Sequence, residues 1–409
     1  MCVNCLNLSR RAMLAGTGAI AASTVAGTAS ARIPPASMVP LIGPGYRPTD
    51  KDEVGIWKLM ERVEEEVSGS NLLIQDEAAN AYLRELFGRV GGPAAKDMRI
   101  YLARIPEFNA VMFPTGFSVV FSGLLLRMRN EAQLAGVIAH EGGHFLRKHQ
   151  IRQWRDIRMK TDILSILAMG AGVAGGAAGV YTGDLAQLAQ LGTILAILKY
   201  SRTLEAEADA MGLKLISEAG LRPMAMSETW DQLIAERDAS ALHRRKKRER
   251  KISLFETHPT PDARRAELKI SAAEVTVPGR VYDDGHDRYV KAIGHLRPMM
   301  LDDQVKLNDP GASQYIVETL ARDGWNGLLR FYEGEIWRLR NRAGDDARAA
   351  LGYAAAVQYP DAPPDAWRWH GIMLQKSGRI PEAKGAYQRY LAMAPNAPDA
   401  PFIRQQIQQ

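Results

Sequence analysis

His140-Glu141-Gly142-Gly143-His144 is a run of five residues whose spacing predicts both a helix and a metal site. On an α-helix, residues four apart lie about 40° apart around the axis, so both imidazoles can reach one metal ion. Glu141 lies about 100° round from His140, close enough to act on a water molecule at the open side of that metal. In the H-E-x-x-H pattern the histidines bind zinc, and the glutamate is the general base of peptide hydrolysis.

The flanking residues favour the helix that this geometry requires. Asn130 can cap its N-terminus, with Gln133 three positions later in the manner of a capping box. An apolar stripe at helical spacing follows, formed by Leu134, Val137, Ile138 and Phe145. The alternative is a buried amphipathic helix that carries two histidines by chance. Because His149 is nine residues after His140, an unbroken helix would point it about 180° away, which predicts a surface residue.

A third metal ligand is predicted downstream, in a second helical stretch. Glu205 and Asp209 are four apart and share a face. This spacing suits a zinc-binding carboxylate followed by a carboxylate that accepts a hydrogen bond from a ligating imidazole. The alternatives are an exposed charge pair at Glu205, or Glu207 as the ligand, although Glu207 faces elsewhere on the helix. His140, His144 and Glu205 would hold one zinc ion per chain and leave a fourth position for water, as catalytic sites do.

Four sequence blocks carry a resemblance to a known family. They are Asn109–Gly116, Asn130–Glu141, Glu205–Asp209, and Thr257–Pro259 followed by Arg264. In this order they resemble the zinc metallopeptidases that include HtpX and the CAAX prenyl endopeptidases. Within that family they resemble the periplasmic branch with C-terminal tetratricopeptide repeats, which the beta-barrel assembly-enhancing proteases represent.

The resemblance implies a mainly α fold with a small β-sheet, a gluzincin-type metallopeptidase domain followed by an α-helical tetratricopeptide-like domain. It implies that Glu141 is catalytic. It also implies that His258 lies near the open coordination site, where it stabilises the oxyanion or caps the zinc in a resting state. Arg264 would support that region or the developing negative charge. An ordinary loop histidine before a proline turn is the alternative for His258.

The resemblance and an apolar, β-rich stretch together predict where substrate binds. An extended substrate would add a strand beside a sheet edge formed around residues 117–121. These residues are Phe117, Ser118, Val119, Val120 and Phe121.

The N-terminal residues 1–31 are interpreted as a signal peptide. Arg10-Arg11 precedes a weakly hydrophobic run of small residues, and Ala29-Ser30-Ala31 offers a cleavage site. The paired arginines favour the twin-arginine route, with an ordinary secretory signal as the alternative. The expected location is therefore the periplasm or another exported compartment. Both cysteines fall within this segment, so we expect no disulfide in the mature protein.

The charge balance excludes a typical nucleic-acid-binding protein. The formal net charge is +6, from 52 basic and 46 acidic residues, which is too balanced to predict a nucleic-acid partner. The one dense basic run, residues 243–251, contains no aromatic residue for base stacking. It is expected to be a solvated loop, or alternatively a flap that attracts acidic substrates or anionic lipid.

Residues 163–180 are uncharged but short and only weakly hydrophobic for a membrane span. We expect them to begin a helical hairpin over the active site. Membrane contact is therefore expected to be peripheral at most.

The C-terminal part shows a 34-residue repeat, which pairs Ala349 with Ala383 and Tyr353 with Tyr387. This period is typical of tetratricopeptide repeats and predicts a docking surface for a protein partner, with a purely structural brace as the alternative. The predicted division is a signal peptide (1–31), a linker (32–50), a zinc metallopeptidase domain (51–272), a connector (273–310) and a tetratricopeptide-like domain (311–409).

Taken together, the sequence predicts a zinc-dependent endopeptidase of the cell envelope that cleaves unfolded or misassembled proteins in quality control. One alternative is a periplasmic chaperone or assembly factor that binds envelope proteins through its repeats, with latent or absent proteolysis. Another is a pseudo-enzyme with structural zinc, which the presence of Glu141 disfavours.

Overall fold

The computed structural model describes residues 39–160, 200–242 and 261–408, with side chains described for 39–156, 200–241 and 264–408. The expected signal peptide, the expected hairpin, the basic run 243–251 and His258 lie outside these ranges.

The described chain is mainly helical. Its α-helices, numbered in chain order, are α1 (Lys51–Ser68), α2 (Glu77–Val90), α3 (Ser122–Arg127), α4 (Glu131–Leu146), α5 (His149–Lys160), α6 (Arg202–Glu218), α7 (Ala225–Leu242), α8 (Pro261–Val275), α9 (His286–Ile293), α10 (Arg297–Lys306), α11 (Pro310–Leu320), α12 (Gly327–Arg340), α13 (Asp345–Ala356), α14 (Pro364–Lys376), α15 (Ile380–Met393) and α16 (Ala400–Gln408). Within the described ranges, none of them is both long and apolar enough to cross a bilayer.

Polar side chains set the starts of several helices. Asp50 and Asp76 accept hydrogen bonds from backbone N–H groups in the first turns of α1 and α2. Asn130 caps α4 as the sequence predicts, because its Oδ1 accepts from the Gln133 N–H at 2.9 Å. The return bond differs from a standard capping box. The Gln133 Oε1 accepts from Arg129 N at 2.9 Å, one residue before the cap.

The sheet has three strands: β1 (Arg99–Ala103), β2 (Ala110–Met112) and β3 (Phe117–Phe121). Their order is β1-β3-β2, with β3 parallel to β1 and antiparallel to β2. The mainly α fold with a small sheet is confirmed.

The prediction that residues 117–121 form a sheet edge is wrong. β3 is the central strand, because Phe117 to Phe121 pair with β1 on one side while Ser118 to Val120 pair with β2 on the other. All five residues are buried. Their apolar, β-branched and aromatic character reflects burial on both faces, which does not distinguish a central strand from an edge, since the edge strand β2 is also buried. The edges of the sheet are β1 and β2.

Alternate residues of β3 serve two hydrophobic clusters, as the period of a strand requires. Phe117, Val119 and Phe121 pack with the apolar face of α1. Val120 belongs to the main core, which also takes in α2, α4 and α6. The sheet is thus covered on both faces, and the main core lies between it and the helices that carry the predicted metal ligands.

The C-terminal helices form two consecutive pairs with the same close contact. A Cβ added at Gly334 in α12 would lie 2.6 Å from the ring of Tyr353 in α13. A Cβ added at Gly371 in α14 would lie 2.5 Å from the ring of Tyr387 in α15. Each glycine therefore makes room for the tyrosine of its partner helix. The tyrosines of the two contacts are 34 residues apart but the glycines are 37 apart, so only the tyrosines follow the 34-residue period. The tetratricopeptide assignment and the domain division stay predictions.

The connector expected at residues 273–310 is largely helical. Tyr289 and Ile293 of α9 and Met300, Leu301 of α10 are buried in the main core. This segment therefore contributes to the same core as the sheet.

Glycines allow α4 and α6 to approach closely. A Cβ at Gly143 would lie 2.8 Å from the Ala208 carbonyl oxygen, and one at Gly212 would lie 3.1 Å from the His140 backbone nitrogen. By contrast, the nearest atom that a Cβ at Gly142 would meet among the described residues is the Met98 Cε, at 3.9 Å.

We predict opposite effects for two neighbouring substitutions on α4. Gly142→Ala should raise the free energy of unfolding by about 0.5–1 kcal/mol, because alanine has the higher helix propensity and the space is open. Gly143→Ala should lower it by about 1–3 kcal/mol, because α4 and α6 must separate. Urea denaturation of the metal-free protein measures both, and a stabilising Gly143→Ala would contradict the close approach of the two helices.

Candidate metal centre

Helices α4 and α6 bring the three predicted ligands together. His140 and His144 lie on one face of α4, and their Nε2 atoms are 3.0 Å apart. Glu205 lies in the first turn of α6, which the Ser201 hydroxyl caps. Its two carboxylate oxygens lie 3.5 Å from the His140 Nε2 and 3.6 Å from the His144 Nε2. All three side chains are buried.

The donor set fits zinc in chemistry and in spacing. With bonds of about 2.0–2.1 Å, neighbouring ligand atoms of a tetrahedral zinc site lie about 3.3–3.4 Å apart. The three observed separations are 3.0, 3.5 and 3.6 Å and involve both carboxylate oxygens of Glu205, so the three side chains converge closely enough to share one ion. Two imidazoles and one carboxylate are also the ligands of catalytic rather than structural zinc sites.

Asp209 and Arg264 contact the ligand side chains, and the Arg264 Nη2 lies 3.0 Å from the His140 Nε2. The Asp209 carboxylate lies 2.8 Å from the His140 Nδ1, and Arg264 donates to Asp209 at 2.6 and 2.7 Å. Arg264 also pairs with Glu205 at 2.7 Å. Burial opposes ionisation of Asp209, but the Arg264 and His140 charges outweigh it and hold the pKa of that carboxyl well below its usual range. Asp209 is therefore an anion that can accept the His140 proton.

Glu141 shares a cavity with this network. The cavity is lined on its polar side by His140, Glu141, Asp209 and Arg264. Its apolar lining consists of Phe108, Gly136, Val137, Met226, Trp230 and Leu233, with Thr229 among them. Three buried carboxylates, at Glu141, Glu205 and Asp209, face one guanidinium.

The expectation that His149 is a surface residue is wrong. α4 ends at Leu146, and Lys148 adopts a left-handed conformation with φ of 55°, so a new helix begins at His149. The extrapolation by helical angle required an unbroken helix. His149 is instead fully buried, with its Nδ1 2.9 Å from the His144 Nδ1. Burial lowers the pKa of His149 to about 4, against the opposing influence of Glu207.

The prediction that Glu205 rather than Glu207 faces the histidine pair agrees with this geometry. Glu207 lies on another face of α6, where its Oε2 is 3.2 Å from the His149 Nε2. Arg147 and Arg152 also bind that oxygen, at 3.2 and 3.0 Å.

Two aromatic residues complete the surroundings and were not anticipated from the sequence. The Tyr200 ring stacks on the His144 ring at 3.8 Å, and the Arg264 guanidinium lies over the Trp230 ring at 4.7 Å. Burial raises the pKa of the Tyr200 phenol well above its ordinary value. Tyr200 directly precedes the cap of α6, but an aromatic residue before a helix cap does not indicate in the sequence that it lies beside a metal site.

The structure therefore places most, but not all, of the predicted site residues. It brings together His140, His144, Glu205, Asp209 and Arg264, with Glu141 beside them. His258 lies outside the described residues, so its role stays a prediction.

Comparison with known proteins identifies the part of the chain that holds this centre. Residues 74–272 match the sequence model described as peptidase family M48. This part of the chain is an M48 peptidase domain. It includes the sheet, all three ligands and Arg264.

The chain is similar to proteases from bacteria and from yeast mitochondria. It is 29% identical over 220 residues to the beta-barrel assembly-enhancing protease of Escherichia coli (strain K12), covering 51% of this chain and 42% of that protein. It is 25% identical over 228 residues to the mitochondrial metalloendopeptidase OMA1 of Schizosaccharomyces pombe, covering 54% and 61%. It is 27% identical over 171 residues to the metalloprotease LoiP of Escherichia coli (strain K12), covering 42% and 60%.

These matches confirm the family resemblance drawn from the four sequence blocks, including the likeness to beta-barrel assembly-enhancing proteases. The matched part of this chain spans less than half of the first of these relatives and about three fifths of the other two.

A neighbouring pair of arginines tests the network of the M48 domain. Arg264→Met should lower the free energy of unfolding of the metal-free protein by about 3–5 kcal/mol, because it leaves buried carboxylates without their cation. Arg265→Met should change it by less than about 1 kcal/mol, because Arg265 pairs with Asp231 at the surface. Urea denaturation monitored by circular dichroism gives both values. Equal losses would show that the charge of Arg264 does not hold the network together.

Proposed function

We propose that this protein is a zinc-dependent endopeptidase of the cell envelope that cleaves unfolded or misassembled proteins. The M48 domain supports peptide hydrolysis, since the named relatives are proteases and metalloendopeptidases. The three convergent donors support zinc as the metal, with one ion per chain.

The observation that carries the proposal is the position of Glu141 beside a buried set of two histidines and one glutamate. Zinc at such a set activates water as a nucleophile and polarises a carbonyl group. A structural site has no use for a general base in a cavity next to the metal. A buried carboxylate here is therefore better explained by catalysis.

The residues of the chain divide the work of hydrolysis. Glu141 takes a proton from the attacking water and later gives it to the leaving amine. Asp209 accepts the His140 Nδ1 proton and so fixes the orientation of that ligand. Arg264 holds Asp209 and Glu205 in place. His258 is proposed, from the family resemblance, to stabilise the oxyanion or to cap the site at rest.

We place substrate binding at β2 instead of β3. Backbone groups alternate along an antiparallel strand, and Asn109 and Phe113 bond to β3 on either side of Val111. Ala110 and Met112 therefore direct their backbone groups away from β3. The Met112 carbonyl already accepts from the Gln150 Nε2 at 3.0 Å, which leaves Ala110 as the favoured position for pairing with an extended substrate.

The cellular role rests on the sequence and on the relatives. The twin-arginine pattern supports export, and the name of the first relative refers to beta-barrel assembly. Main-chain pairing supports unfolded substrates, because it selects extended chains with little regard to sequence. The C-terminal helix pairs are proposed as the docking surface for a protein partner.

Glu141→Gln should abolish cleavage of unfolded casein while zinc remains bound. The substitution removes the base but keeps the size of the side chain, so a loss of about 100-fold or more is expected from the base alone. The measurement is a fluorescent casein assay on the full chain with stoichiometric zinc, with zinc content determined for each sample. Full activity in Glu141→Gln would refute the proposed mechanism.

His258→Ala separates two further outcomes of the same assay. Faster cleavage by this variant would support a self-capped resting state. If neither wild type nor His258→Ala cuts casein although both bind zinc tightly, the chaperone or assembly-factor alternative would be favoured.

Backbone methylation of a cleaved peptide should reveal strand pairing. Replacing the one amide N–H that pairs with the Ala110 carbonyl by N–CH₃ should lower kcat/KM about tenfold or more, because a hydrogen bond is lost and a methyl group enters the strand interface. Methylation of the adjacent amides, which point away in an extended chain, serves as the matched control. If methylation at no single amide of the peptide lowered kcat/KM, that result would argue against strand addition.

A further inference from the structure

We propose that His149 and Glu207 are positioning residues that hold the ligand His144 in the orientation and tautomer required for zinc binding. The proposal rests on the proposed zinc site. It assigns a role to two residues that lie outside the ligand set and outside the catalytic steps described above.

The three side chains form a continuous buried chain of contacts. The His144 Nδ1 lies 2.9 Å from the His149 Nδ1, and the His149 Nε2 lies 3.2 Å from the Glu207 Oε2. Both histidines are fully buried. Arg147 and Arg152 bind the Glu207 carboxylate at the end of the chain, at 3.2 and 3.0 Å.

The direction of these hydrogen bonds follows from the valence of the rings. His144 directs its Nε2 toward His140 and Glu205, so this nitrogen must be unprotonated to bind a metal. Its proton is then on Nδ1 and is donated to the His149 Nδ1. A neutral His149 must therefore carry its own proton on Nε2, which donates to Glu207.

The opposite direction is incompatible with metal binding. If the His149 Nδ1 carried the proton, the His144 Nδ1 would have to accept it. The neutral His144 would then be protonated on Nε2, at the position of the metal. For a neutral His149, Glu207 excludes this arrangement, because a carboxylate beside the His149 Nε2 requires a donor there, and only a doubly protonated ring would permit it.

The two ligand histidines are thus held in equivalent ways from one helix. Asp209 accepts directly from His140, whereas Glu207 accepts from His144 through His149. Glu205, Glu207 and Asp209 occupy alternate positions of α6, so Glu207 faces away from the ligand Glu205. The intervening His149 spans the distance to His144.

The break between α4 and α5 makes this arrangement possible in the chain. Lys148, in its left-handed conformation, turns the backbone so that His149 lies against His144. The Lys148 ammonium lies 3.2 Å from the buried Glu53 and bonds to the Tyr46 hydroxyl. The turn is therefore anchored from α1 and does not depend on the metal.

The zinc affinity of the full chain tests the proposal, measured by competition with a chromophoric chelator. His149→Leu keeps the volume of the side chain but offers no acceptor, and should weaken zinc binding about 10- to 100-fold. His149→Asn retains an oxygen near the Nδ1 position and should recover part of that loss. His295→Ala removes the histidine of another histidine–aspartate pair, at Asp76, and should leave the affinity unchanged.

The outcomes distinguish a failure of the relay, meaning the hydrogen-bonded chain from His144 through His149 to Glu207, from a failure of the proposed zinc site. If wild type binds zinc and His149→Leu binds it equally tightly, the relay is overturned and the zinc site stands. If wild type binds no zinc, the zinc site fails and the relay fails with it.

A second measurement uses the wild-type protein and does not depend on the folding of any variant. The ¹⁵N chemical shifts of the histidine rings in the zinc-loaded protein report which nitrogen carries the proton. We expect protonated Nδ1 at His144 and protonated Nε2 at His149. A proton on the His149 Nδ1 would overturn the proposal.

Discussion

The close approach of α4 and α6 is the constraint on which the rest of this structure depends. Two glycines, Gly143 on one helix and Gly212 on the other, allow the backbones to come within the space that a single side-chain carbon would fill. Only at this separation can the two histidines of α4 and Glu205 of α6 place their donor atoms around one ion. The small residues at this helix crossing therefore bring the ligands of the two helices together, which the spacing of ligands within one helix cannot do.

Burying so much charge requires that each charged group has a partner. Carboxylates taken out of water are unfavourable unless paired and hydrogen-bonded. α6 carries three of them at alternate positions, where Glu205 and Asp209 share Arg264 and Glu207 pairs with His149. The metal centre is thus the inner part of a larger network that also joins α5 and α8. This explains why its supporting residues come from distant parts of the sequence.

One hydrophobic core links the metal centre to the C-terminal helices. The cluster that contains Leu102 of the sheet and Ile138 of α4 extends without interruption to Tyr353 and Met373 of the helix pairs. The helices α9 and α10 lie between them in sequence and are part of the same core. The M48 domain and the helix pairs therefore share one hydrophobic core.

Features that depend on neighbouring residues could be predicted from the sequence. The turn of an α-helix fixes the angle between His140 and His144, and a side-chain cap acts over three residues, so the metal helix and the ligand face of α6 follow from local spacing. Strand order and the burial of His149 could not be predicted. The residues of β3 do not by themselves show whether the strand is central or at an edge. Its position depends on pairing with β1 and β2, and no local sequence pattern specifies which segments pair. His149 turns inward only because Lys148 leaves the helical conformation, and contacts with a distant helix hold that turn.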